Sequence, residues 1–165
     1  MLITHLPSGY ILAKVLEKKF RHFQVSKKAF FATIMFGAVF PDLDLLYFYF
    51  FDSRSVHHHK YFLHWFSFWL VVLTISIIFF KIKRNKSKWA FLSILFCNAA
   101  IMHLILDGFV GDIWLFAPFI DKPFSLFNVP SQYDTWWLNF IFHWSFSVEI
   151  LICLFALYLY FSKSN

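Results

Sequence analysis

The chain has 165 residues, 60% of them hydrophobic and only 15% charged, with 26 Phe, 7 Trp, 7 Tyr and a net charge of +6. A soluble globule of this size could not hide so much apolar surface, so a soluble reading is poor, and the same figures exclude disorder. The positive balance alone would suit nucleic acid, but the hydropathy ranks a membrane protein first, with residues 1–165 as one integral membrane domain and nucleic acid an unlikely partner.

In chain order, Met1–Gly9 lacks a basic stretch, and no small-residue cleavage site follows it, so no signal peptide is expected. Ser8–Phe23 reads as a short amphipathic helix with Lys14, Lys18, Lys19 and Arg21 in its second half. Four apolar segments follow: Phe30–Phe51, Tyr61–Phe80, Trp89–Val110 and Trp136–Phe161. Each approaches the roughly 20 residues that cross a bilayer as a helix. The expected fold is therefore an all-α polytopic transmembrane bundle of four long membrane helices plus the short N-terminal one. Gly111–Thr135, with Pro118, Pro123 and Pro130, reads as a long aromatic external loop. Cys97 and Cys153 each lie within an apolar run and define neither a disulfide framework nor a thiolate zinc motif.

Basic residues set the expected orientation. One cluster spans Lys14–Lys28 and another Lys81–Lys88, with two crossings between them, so both belong on the cytoplasmic side. His57–Lys60 and Gly111–Thr135 then face outward, and the Ser162–Asn165 tail faces inward.

The functional signal lies in ionisable residues inside apolar segments, which are costly in a bilayer and face cavities or one another. His5, Asp42, His64, His103 and His143 stand 13 to 20 residues from the nearest basic residue on the cytoplasmic side. At about 1.5 Å per helical residue, all five reach the same outer half of the membrane, and independent structural residues have no reason to agree in depth. His103 and Asp107 are an i, i+4 pair, so one helical face presents both to one ion. In Pro41-Asp42-Leu43-Asp44 a helix-disturbing proline stands beside two carboxylates with no lysine nearby, and one of the two is expected to be a ligand and the other a proton acceptor. The run His57-His58-His59-Lys60 precedes His64; His59 and His64 converge if His59 sits in the entering turn, whereas His57 and His58 read as incidental. His143 lies on the outer half of the last segment, and Glu149 is a weak partner for it, some 120° off its face on an ideal helix.

These residues also form an ordered set of motifs: Thr4-His5 with Gly9, Phe40-Pro41-Asp42-Leu43-Asp44, His59-Lys60-Tyr61-Phe62-Leu63-His64, and His103-Leu104-Ile105-Leu106-Asp107 with Gly111 and Pro118. The set resembles the YdjM-like family of inner-membrane metal-dependent hydrolases. The match spans Thr4 to about Pro118, with Lys60 where the family has Arg, a change that keeps the charge and loses the bidentate fork. More distantly, the order is similar to the helical zinc phospholipase C and single-strand nuclease fold. That fold continues with a second His-x-x-x-Glu/Asp pair, whereas His143 is followed here by Ser147, leaving the ion count open between one and three.

Residues and resemblance together lead to an expected divalent metal, zinc first, held by His5, Asp42, His59, His64, His103, Asp107 and His143, with catalytic parts for Asp44 (proton acceptor) and Lys60 (phosphate oxygen). The expected activity is metal-dependent hydrolysis of a phosphoester in a membrane lipid or lipid-linked substrate. A metal or proton transporter and a non-catalytic interaction protein are the alternatives. A transport path fits less well, because no ionisable residue occupies the inner half of the second or third apolar segment.

Overall fold

The computed structural model describes residues 1, 3–20, 23, 25–52 and 56–162; Arg21 and the tail 163–165 lie outside the described residues. The fold is all-α, with α1 (His5–Glu17), α2 (Lys27–Val39), α3 (Asp44–Phe50), α4 (Phe66–Ile82), α5 (Lys88–Val110), α6 (Trp136–Ile141) and α7 (Ser145–Phe161).

The expectation of four long membrane helices is not met. Among the described residues, only α5, at 23 residues, is by itself long and apolar enough to cross a membrane. Each of the other three segments is shortened for a local reason. The first breaks at Pro41, which cannot donate to the helical ladder and begins a single 3-10 turn, Pro41–Leu43; α2 and the following stretch meet at 57°. The second begins late, because His58–Lys60 and Phe62–His64 are 3-10 turns separated by extended Tyr61. Indoles fix that irregular path: Trp65 Nε1 donates to the Lys60 carbonyl at 2.9 Å and Trp69 Nε1 to the Leu63 carbonyl at 2.7 Å. The last splits into α6 and α7, and α4 and α7 are 17 residues each.

α5 is the centre of the bundle, with α2 and α4 packed on it; α1 lies on α2, and α7 on α1. One apolar core joins Ala13, Phe30, Ile34, Ala38, Phe91, Leu95 and Ala99, and a second joins Trp69, Cys97, Ala100, Leu104 and Ile113. Two glycines permit the close approach. A Cβ at Gly37 would meet the Phe96 carbonyl oxygen of α5 at 2.6 Å, and one at Gly9 would meet Ala38 Cβ of α2 at 2.7 Å. Beyond α5 the chain folds back: Ile113 bridges Phe124, and the Leu126 and Phe127 N–H groups donate to the Gly108 and Phe109 carbonyls. This return places Asp112 and Trp114 beside the histidine turns.

Candidate metal centre

Asp107, fully buried in the last turn of α5, is the focus of the site. Four histidines from three parts of the chain surround its carboxylate. His103 Nε2 is 2.9 Å from Oδ2, His59 Nε2 and His64 Nε2 are each 3.7 Å from Oδ2, and His5 Nε2 is 3.1 Å from Oδ1. The His5 and His103 rings stack at 3.8 Å. Asp42 Oδ1 completes the group, 3.6 Å from His103 Nε2 and 3.8 Å from His64 Nε2. One ligand atom from each of Asp42, His64, His103 and Asp107 lies within 4.8 Å of the others. The α-amino group of Met1 also reaches Asp107, at 2.6 Å from Oδ1.

The rear nitrogens of three rings are all committed. His103 Nδ1 bonds the Ala38 carbonyl at 2.8 Å, His64 Nδ1 bonds Asp44 Oδ2 at 2.7 Å, and His59 Nδ1 bonds the Asp112 carbonyl at 2.8 Å. A carbonyl or carboxylate accepts, so each Nδ1 donates and each Nε2 faces Asp107; against the pull of burial, hydrogen bonds to Asp107 and Asp44 raise His64 to about 9, so a cation there would displace the proton from its Nε2. That arrangement typifies metal-ligating histidine, whose second nitrogen is held by an outer acceptor. Burial pushes His59 well below the usual imidazole range and His58 down to about 3, which favours the neutral form of both rings.

The inward atoms are unsatisfied. His64 Nε2, His103 Nε2 and Asp107 Oδ2 are buried without a hydrogen bond, despite the short His103–Asp107 distance, and so are His5 Nδ1 and Asp44 Oδ1. Leaving one such group unpaired costs about 1–3 kcal/mol, so three of them close together favour a common partner. A divalent cation fits: two carboxylate oxygens and two imidazoles are donors that suit zinc.

The other expected site residues lie as follows. Asp44 is buried behind His64, whose ring it orients, while the Asp42 side chain, 31% exposed, stands at the mouth. Lys60 turns away from Asp107. Its Nζ holds Asp121 at 2.9 and 3.0 Å and lies over Trp114, whose Nε1 also donates to Asp121 at 2.7 Å. The Lys60 contact keeps the Asp121 carboxyl below its ordinary range. His143 is not brought to Asp107: Nδ1 is 2.9 Å from Ser145 Oγ and accepts the Ser145 N–H, so the ring serves the start of α7. His57 likewise accepts the His59 N–H and supports the turn.

Sequence reasoning missed the contributions of backbone. The Ala38 and Asp112 carbonyls that set two rings carry no residue signature. Gly111 did carry a signal, one turn after Asp107: a Cβ there would stand 3.4 Å from the His59 ring. No curated protein and no solved structure matches the chain. A family model described as YdjM inner membrane protein matches residues 1–164, and the chain therefore belongs to the YdjM inner membrane protein family.

Proposed function

We propose that this inner membrane protein is a metal-dependent hydrolase acting on a phosphoester of a membrane lipid or lipid-linked compound. One observation carries the reading: three buried, unsatisfied atoms of His64, His103 and Asp107 face one point, with both rings locked from behind by Asp44 and the Ala38 carbonyl. A purely structural polar cluster would satisfy its members with each other.

When bound there, zinc supplies Lewis acidity that lowers the pKa of water to about 7 and polarises a phosphoryl oxygen. His64, His103, Asp42 and Asp107 would hold the ion, with His5 and His59 against the same carboxylate. Asp44 keeps His64 in the tautomer that ligates. Lys60, once it lets go of Asp121, supplies a positive group for a phosphate oxygen. The aromatic, apolar surroundings favour a lipid that enters sideways. The basic residues of 14–28 and 81–88 support a cytoplasmic side for those segments and a site toward the outer half of a multi-pass chain.

The test is hydrolysis of mixed inner-membrane phospholipids by the purified protein, with added zinc and after chelation. Released phosphate or phosphoalcohol that depends on zinc and disappears in His103→Ala supports the reading. Release unaffected by chelator and by His103→Ala would contradict it.

A further inference from the structure

Glu149 is a carboxyl group in the second turn of the apolar helix α7, 1% exposed, and the chemistry above makes no use of it. Its Oε2 accepts the Ile3 N–H at 2.8 Å. One turn further along α7, Cys153 Sγ lies 3.9 Å from the Ile3 carbonyl oxygen. One face of α7 thus grips both backbone groups of a residue that is itself 47% exposed on its side-chain side.

Ile3 stands two residues before His5, the first residue of α1. Thr4, at the cap position of α1, makes no side-chain cap bond; its hydroxyl contacts the Met1 sulfur instead. The entry to α1 therefore lacks the local device that usually fixes a helix start. Glu149 supplies a carboxyl acceptor from another helix, beside the positive end of the α1 dipole. Buried ionisable groups in apolar helices mark functional constraints, because a carboxylate is costly there.

We propose that Glu149 is a positioning residue of the metal centre: by fixing Ile3 it holds His5 with Nε2 against Asp107 and its ring on His103. The inference rests on the metal reading above, with His5 as the ring that braces the Asp107 carboxylate. It explains why α7, which packs chiefly on α1, carries a carboxylate at this level.

Cobalt(II) titration of the full chain in detergent, followed by visible absorption and chelator competition, tests it. Glu149→Ala should weaken cobalt binding about 10–100-fold, as loss of an outer support does, and should shift the spectrum as His5→Ala does. Glu149→Gln, which can still accept the Ile3 N–H, should largely restore both. On a His5→Ala background, Glu149→Ala should add less than about twofold, because the two act through one side chain. Should Glu149→Ala not fold, Ile3→Pro breaks the same bond from the exposed end and should give the same loss. A wild-type spectrum in Glu149→Ala or Ile3→Pro, or losses that multiply in the double variant, would overturn this inference and leave the metal reading standing. No cobalt band in the wild type would overturn the metal reading and this inference with it.

Discussion

Asp44 and Asp42 differ by two residues and have different surroundings. Asp44 is buried with Oδ2 on His64 Nδ1, while Asp42 stands half in the open across the site. The sequence shows two carboxylates beside a proline but not which one faces inward; on an ideal helix they would point about 200° apart. The 3-10 turn at Pro41–Leu43 resolves this by bringing both around His64. Removing the Asp44 carboxylate frees the ring to rotate and to move its proton to Nε2. Asp44→Ala should therefore weaken zinc binding about 10–100-fold while the fold persists, measured by competition with a chromophoric chelator. Unchanged affinity would mean that the ring is held by its packing alone.

At the scale of elements, the His103–Asp107 pair was legible because one α-helical period puts both on one face, and α5 is helical through that stretch. The breaks were less legible. Hydropathy reads Tyr61–Phe80 as one span, since the residues are apolar whichever path the backbone takes. What interrupts it is the capture of the Lys60 and Leu63 carbonyls by two indoles, a tertiary event. The same holds for the Ala38 carbonyl, which reaches His103 only because Gly37 lets α2 approach α5. Gly37→Ala forces a methyl into the Phe96 backbone and should cost about 1–3 kcal/mol, read as a lower thermal midpoint. It should also weaken metal binding, because the Ala38 acceptor moves with α2. A variant with the wild-type midpoint would show that the helices are not packed this closely.

On the scale of the whole molecule, family membership places the chain in the inner membrane, whereas among the described residues only α5 is long enough alone to cross it. Composition made the membrane legible; the number of long helices was not, because broken and short helices have the same apolar content as straight ones. The proposed orientation puts Lys86 and Asp121 on opposite faces. In a background without Cys97 and Cys153, single cysteines at the two positions should react with an impermeant reagent from opposite sides of the membrane. Labelling from the same side would contradict that orientation.

The central claim is that Asp107 gathers the histidines around a metal rather than around itself. Asp107→Asn keeps the shape of the side chain and its capacity to accept a hydrogen bond, but removes the charge that offsets a divalent cation. The deciding measurement is metal per folded monomer in the wild type and in Asp107→Asn, both purified in detergent and loaded with zinc. A site of this kind predicts a stoichiometric ion in the wild type and a loss of about 10–100-fold or more in affinity in the variant. A hydrogen-bonded cluster predicts the same metal content in both, with stability changed by only about 1 kcal/mol. Equal metal in two well-folded proteins, or none in either, would contradict the claim.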